Sequence, residues 1–351
     1  ECVLDTSQCS GNTTPPPPPP PPPQAPIGGV WISQAEISAL PMSGSAWNAV
    51  KAEADRSCGS PNISNQDDPA NVCVLAKALV YARTQDAKYR NEVIDLLTRA
   101  KGTEAGTRAL AMGRELAAYA ISADLIGYHA LEFEQWIKGL LTFPTSGGPG
   151  SLIECHEQRG NNWGVHCGDS RVAVAAYLTK SSDTTLKQYG EQQLARVAQV
   201  FKGWLGDTSS YAGFTWGDKA WQCDPNKPVG INPKGCTRDG NSLDGVLPDD
   251  QRRTGGYKWP PPCGNYPHGA LDAVLGTAEI LRRNGYPDVF SWSDQAILRS
   301  KQWLQTTGCS SSGDNTWQLP LWDARYGTNY WNGSPVGAGK NLGWADWTHA
   351  P

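Results

Sequence analysis

The chain has 351 residues, enough for one large domain or two ordinary ones and for a sizeable buried core. A formal charge of -4 and a pI near 5.8 exclude a global attraction to nucleic acid, so an anionic ligand would have to meet a local basic cluster. No uninterrupted apolar run approaches the roughly 20 residues a membrane-crossing helix needs, and fifteen Trp against five Phe suits either core packing or stacking on sugar rings.

Residues 1 to 14 form a short segment holding Cys2 and Cys9, and a proline-rich linker follows from 15 to 29. Its nine consecutive prolines, 15 to 23, lack amide hydrogens and have a fixed φ, so they should form a polyproline II rod of about 3 Å per residue. Such a rod is a stiff spacer that joins no helix or sheet. It also offers a surface on which a second copy could pack, so self-association through it is an expectation.

From 30 to 351 the pattern is that of a single helical domain. Ser33 with Glu36 has the spacing of a capping box, and 43 to 56, 71 to 84, 87 to 100, 107 to 128 and 131 to 141 carry apolar residues three and four apart. Residues 144 to 160, rich in Gly, Pro and Ser, read as a loop into a polar stretch, after which a Val/Ala run predicts a packed helix. An amphipathic segment from 184 to 205 precedes a long Gly/Pro/Trp-rich stretch, 206 to 262, which reads as a functional loop region. Helices resume at 268 to 284 and 293 to 306, and the part beyond Trp317 looks aromatic and irregular.

No strand–helix alternation, GxGxxG or P-loop is present, which removes the nucleotide-binding folds. The expected fold is all-α, an (α/α) toroid: an incomplete barrel of helical hairpins with long loops around a central cleft. A stacked helical solenoid is the alternative, although no fixed-period repeat is visible.

The ten Cys include no CxxC pair, and their even number suits disulfides formed in an oxidising compartment. Spacing does not fix connectivity. Pairing neighbours in order, Cys2 with Cys9, Cys58 with Cys73, Cys155 with Cys167, Cys223 with Cys236 and Cys263 with Cys309, closes the shortest loops. Asn12-Thr-Thr and Asn62-Ile-Ser are N-glycosylation acceptors, and Asn332-Gly-Ser is a poorer one because Pro335 follows. With no signal peptide and a start at Glu1, the chain reads as a processed extracellular protein with no membrane partner.

Polar groups concentrate between Arg159 and Arg171, in Arg-Gly-Asn-Asn-Trp-Gly-Val-His-Cys-Gly-Asp-Ser-Arg. Asn162 and His166 are four apart, so on a helix both project from one face and offer an amide and an imidazole to one ligand. The plainer alternative is that Asn161 or Asn162 only caps the helix. The five His, at 129, 156, 166, 268 and 349, form no HxxxH pair and the acids form no EF-hand pattern, so no metal or other cofactor is expected.

Asn161-Asn162-Trp-Gly-Val-His166 resembles the Asn-Asn-His signature of alginate-lyase-like polysaccharide lyases. Asp244-Gly-Val-Leu-Pro-Asp-Asp-Gln-Arg-Arg253, followed by Asn265-Tyr266-Pro-His-Gly-Ala-Leu, resembles their second signature: a Gly-x-Leu-Pro turn, an arginine, then a tyrosine at a helix start. Gly113-Arg-Glu-Leu-Ala-Ala-Tyr119 and Gly339-Lys-Asn-Leu-Gly-Trp-Ala-Asp-Trp-Thr-His349 are similar to further segments of the superfamily. The resemblance runs from Val30 to the C-terminus and leaves out the cysteine-proline head. One departure stands out: the family's His directly follows its second Asn, whereas here Trp163 does and the His comes one turn later. That points toward a glucuronan-type branch.

The resemblance implies cleavage of an anionic uronate polysaccharide by β-elimination. The C5 proton is barely acidic until the neighbouring carboxylate is neutralised, so the site needs donors aimed there. Asn162 and Arg253 suit that task, with His166 assisting. Tyr266 is the candidate base and acid; an ordinary tyrosine titrates near 10, so it serves as a base only beside a cation. If proton and leaving group lie on opposite faces of the ring, His166 becomes the base and Tyr266 the acid. Tyr257 rivals Tyr266, and Arg252 rivals Arg253. Asn161, Trp163, Arg252, Tyr257, His268, Lys340 and Trp344 are candidate substrate-binding residues, with Trp216 and Trp259 as further stacking platforms.

Two alternatives from other classes remain. An α/α-barrel glycoside hydrolase needs two carboxyl groups astride the bond, for which Asp249, Asp250, Asp169 and Glu157 are the nominees. An inactive carbohydrate-binding or assembly protein would use the proline rod and disulfides structurally.

Overall fold

The computed structural model describes residues 29–217 and 219–350. The expected Cys2–Cys9 pair, the Asn12 acceptor and the proline tract lie outside the described residues. Ser33 opens the first helix as its spacing predicts: the Glu36 N–H donates to Ser33 Oγ at 3.2 Å and the Ser33 N–H donates to the Glu36 carboxylate at 2.8 Å. This capping box starts α1 (Gln34–Ala39).

The helices that follow are α2 (Ser45–Asp55), α3 (Ala70–Thr84), α4 (Ala87–Ala100), α5 (Ala109–Leu125) and α6 (Leu131–Leu140). Each lies within three residues of an apolar period of three and four in the sequence, because the same periodicity that marks a helix marks the face it buries. The segment expected to be a loop, 144 to 160, instead contains α7 (Leu152–Gln158), started by the Ser151 hydroxyl accepting from the Glu154 N–H. Then come α8 (Asn162–Leu178) and α9 (Thr184–Trp204). Within 206 to 262 lie a hairpin of two short strands, β1 (Thr237–Arg238) and β2 (Asn241–Ser242), and α10 (Pro248–Arg252). The chain ends with α11 (Tyr266–Arg283), α12 (Trp292–Thr306), α13 (Leu319–Tyr326) and α14 (Ala345–Thr348). The all-α class therefore holds. The C-terminal part is more regular than its composition suggests.

Helix α8 is the centre of the packing. Every residue in it except Trp163 is buried, and it lies against α5, α7, α9 and α11. Glycine lets α5 come close: a Cβ on Gly113 would sit 2.9 Å from the Cys167 nitrogen and 3.0 Å from the His166 carbonyl carbon. The two helices are also tied by a polar contact, since the Ala117 N–H donates to Ser170 Oγ at 3.0 Å. Helix α3 packs against α2, α4 and α5, and its Val74, Leu75, Ala78 and Leu79 are buried.

Disulfides join Cys58 to Cys73, Cys223 to Cys236 and Cys263 to Cys309, as pairing in order predicts. The expected staple between Cys155 and Cys167 is not formed. Both are buried free thiols in contact with each other, and the Cys167 thiol donates to the Ala109 carbonyl at 3.4 Å. Burial, and then the contact with Cys155, pushes the Cys167 thiol well above its ordinary range. Asn62 is exposed, with its side-chain oxygen accepting from the Ser64 N–H and hydroxyl. Among the described residues, no helix is long and apolar enough to cross a membrane.

Candidate active site

The entry to α8 brings the two motifs together. Asn161 is the N-cap: its side-chain oxygen accepts from the Trp163 and Gly164 N–H groups at 3.1 and 3.3 Å, while its amide nitrogen donates to Asp249 at 2.5 Å. The Asn162 N–H donates to Asp250 at 3.1 Å. The acids of α10 thus hold the start of α8. Gly164 is required there, because a Cβ would lie 1.8 Å from the Arg159 carbonyl oxygen. The Asn161 side chain is engaged by these contacts, and the residue borders the neighbouring cavity.

Beside this junction lies a cavity of about 410 Å³, lined by Asn162, Trp163, His166, Arg253, Tyr266 and Lys340 among others. The four residues expected to be catalytic therefore share one wall-to-wall space, although Asn162 and Tyr266 are a hundred positions apart. Tyr266 is the first residue of α11, with Pro267 in the first turn where a missing N–H costs nothing. Its ring is 44% exposed, with the Arg253 guanidinium 4.7 Å from the ring centre.

His166 forms the floor. It is buried and hydrogen-bonds to the Gly269 backbone, and Nδ1 has no protein partner. Burial, with the charges of Arg114 and Lys340 adding to it, lowers its pKa well below the ordinary value. The imidazole is therefore neutral at pH 7 and does not supply positive charge to the cleft.

That charge comes from arginines and a lysine, two of which the sequence reading did not single out. Arg108 and Arg114 of the α5 entry line the cavity together with Asp272 and Asp314. Arg114 reaches Asp67 at 3.2 Å, and Lys340 reaches Asp67 at 2.6 Å and Asp314 at 3.9 Å. Asp272 is buried and accepts from the Gln318 side chain; desolvation first, then the charge of Asp314, push its carboxyl well above the usual range. Asp272 stood in the sequence as a lone acid in the apolar run Gly-Ala-Leu-Asp-Ala-Val-Leu, and Arg114 interrupts an equally apolar helix. Those interruptions were the available signal.

Among the described residues, three arginines have no hydrogen-bond or ion-pair partner for their side chains: Arg108, Arg159 and Arg253. All three border this cavity or the one beside it. Elsewhere arginines are engaged, as Arg171 and Arg196 are by Glu157 and Arg299 is by Asp244.

Several expected site residues lie elsewhere. The Tyr257 hydroxyl donates to the Arg238 carbonyl at 2.9 Å and its ring packs edge-on against Trp221, so Tyr257 buttresses the hairpin. Arg252 is held by Asp249 at 3.0 Å and faces the neighbouring cavity. His268 is buried at 3.2 Å from Ser311 Oγ, with a pKa lowered to about 4 by burial and Lys301. Trp344 is buried in a left-handed turn, φ 62°, and presents no stacking face. Trp259 is exposed, but on a separate cavity with Trp303.

The acids nominated for hydrolysis are also occupied. Glu157 binds two arginines, Asp249 and Asp250 hold the motif junction, and Asp169 is buried, accepting from Asn341 at 2.8 Å. Among the described residues no three His, Cys, Asp or Glu side chains converge as a metal site requires. Compared with known proteins, the chain matches no family model and no curated protein.

Proposed function

We propose that this protein is a secreted polysaccharide lyase that cleaves a uronate-containing polymer of the glucuronan or alginate type by β-elimination. The observation that carries the reading is the set of arginines with no hydrogen-bond or ion-pair partner among the described residues, around a cavity that also holds an accessible tyrosine under one of them. Cations left unpaired in a folded protein are suited to an anionic ligand, and a uronate carboxylate is planar and bidentate as a guanidinium requires.

In this mechanism Arg253 and the Asn162 side-chain amide meet the substrate carboxylate and take up the negative charge that develops when C5 loses its proton. The Tyr266 oxygen removes that proton, with Arg253 as the adjacent cation, and the same hydroxyl then protonates the departing O4 oxygen. If proton and leaving group lie on one face of the ring, Tyr266 serves as base and then acid; if they lie on opposite faces, the neutral His166, with Nδ1 unpartnered, is the base and Tyr266 the acid. Sequential helix pairs α2/α3, α3/α4 and α8/α9 pack on one another, which supports the hairpin arrangement of an α/α toroid. The three disulfides support secretion.

The test is ultraviolet absorbance of the unsaturated uronate during incubation with glucuronan, polymannuronate, polyguluronate and pectate, beside Tyr266→Phe. A rise on one polymer, absent in the variant, establishes β-elimination. Flat traces on all four with no new reducing ends sink it.

A hydrolase reading draws on one observation: Asp272 and Asp314 share the cavity, and burial pushes the Asp272 carboxyl well above the usual range, the direction a general acid needs. New reducing ends without ultraviolet absorbance would select it.

A further inference from the structure

The cavity beside the Tyr266 site has a volume of about 530 Å³ and shares Trp163 and Arg253 with it, so the two adjoin. At its centre the Arg159 guanidinium is clamped between two indoles, 4.6 Å from the Trp163 ring and 4.3 Å from that of Trp216. Its Nε is buried with no acceptor. Stacking of this kind fixes the plane of a guanidinium while leaving its edge donors free.

The clamp is built into the backbone. The Thr215 and Trp216 N–H groups donate to the Gln158 carbonyl at 2.9 and 3.0 Å, and the Gly160 N–H donates to the Trp216 carbonyl at 3.4 Å. Gly148 closes the other side, where a Cβ would come within 3.2 Å of Arg159 Nη2 and 3.6 Å of the Trp163 ring. Trp216 is nevertheless 50% exposed. An indole held at its backbone with half its surface open has the properties of a sugar-stacking platform. Among the described residues the acid that lines this cavity is Asp249, and it is engaged by Asn161 and Arg252 rather than by Arg159.

We propose that this second cavity is a subsite for a neighbouring uronate of the same polymer, with Trp216 stacking on the ring and Arg159 pairing with its carboxylate. The inference rests on the lyase reading and extends it: the substrate carries consecutive acidic sugars, and recognition spans at least two of them. Because the clamp is formed before ligand arrives, little ordering entropy opposes binding there.

The test is titration calorimetry of di- and tetrasaccharides of the four uronate polymers with Tyr266→Phe protein, alone and combined with Arg159→Gln or Trp216→Ala. An added charge-assisted contact predicts that the tetrasaccharide binds roughly 10–100-fold more tightly than the disaccharide. Each second substitution should erase most of that advantage while leaving the disaccharide within about threefold. Arg159→Lys, which keeps the charge and gives up the planar stack, should fall between. Thermal midpoints matched to the parent show that the loop has stayed folded. A tetrasaccharide advantage that survives both Arg159→Gln and Trp216→Ala, or no advantage in the parent, overturns the subsite and leaves the lyase reading standing. No binding of any uronate overturns both.

Discussion

The Arg253 guanidinium lies 4.7 Å from the centre of the Tyr266 ring, and no acceptor among the described residues engages it. A cation that spends its positive charge on an aromatic face keeps its N–H donors for a ligand. The pair therefore joins carboxylate recognition to proton transfer in one contact. Tyr266→Phe retains the stacked ring and removes the hydroxyl, so kcat should fall by about 10²–10⁴-fold with oligosaccharide affinity kept. Arg253→Lys should lower both kcat and affinity, because an ammonium reproduces neither the fork nor the stack. Initial rates from ultraviolet absorbance, with calorimetric Kd values, separate the two.

Asn161 should behave as a structural residue although it sits in the motif. Asn161→Ala loses the helix cap and one donor to the buried Asp249, a combined cost of about 2–4 kcal/mol. Asn161→Asp keeps the cap acceptor and sets a second carboxylate against Asp249. It should be destabilised at pH 7 and recover toward pH 4 as the pair takes up a proton. Urea unfolding at the two pH values checks both variants.

The residues legible in the sequence were those with a local signature. Asn162 and His166 share a helix face by spacing, so periodicity placed them. Arg253 and Tyr266 were singled out by the resemblance of their segments to the second lyase signature, in which an arginine follows the turn and a tyrosine starts a helix. Arg114, Asp272 and Asp314 come from three separate elements, and their convergence is set by how α5, α11 and the segment before α13 pack around α8. No local pattern encodes that convergence. Trp344 and Tyr257 misled for the opposite reason: aromatic side chains near a motif serve packing as readily as binding, and only burial and hydroxyl partners tell which. Helix α7 escaped notice because seven residues between glycines and prolines carry too few turns to show a period.

Asp169 should make stability fall with rising pH. Burial raises its pKa from 3.8 to about 8, while Asn341 opposes the shift by donating to one oxygen. In the unfolded chain Asp169 ionises near pH 4, whereas the folded protein keeps the proton to about pH 8. Its contribution is therefore full below pH 4 and lost between pH 4 and 8, on the order of a few kcal/mol. His268, lowered to about 4, acts in the opposite sense, losing stability as pH falls from 6.5 to 4. Asp169→Asn isolates the first effect, since an amide keeps the acceptor for Asn341 and can donate to the otherwise unpartnered Asn341 oxygen. Its stability relative to the parent should rise steadily from pH 4 to 8 and level off above, as measured by thermal melts across that range.

Asp67 should restrain the electrostatic attraction of the cleft. It does not line the cavity, yet it holds two cations that do, Lys340 at 2.6 Å and Arg114 at 3.2 Å. The Lys340 contact is the largest cause of a lowered Asp67 pKa, so the acid is ionised at neutral pH and cancels one of the two charges presented to the substrate. Asp67→Asn removes that cancellation and retains a side-chain oxygen that accepts from Lys340. With more net positive charge at the mouth, an anionic polymer should be captured faster, and KM should fall by about 3–10-fold at low salt with kcat nearly unchanged. The gain should vanish near 0.5 M salt, where the screening length shrinks to about 4 Å, well short of the cavity's width. Steady-state kinetics on the responsive polymer at low and high ionic strength decide it. A drop in kcat would instead mean that Asp67 fixes the position Lys340 needs for turnover.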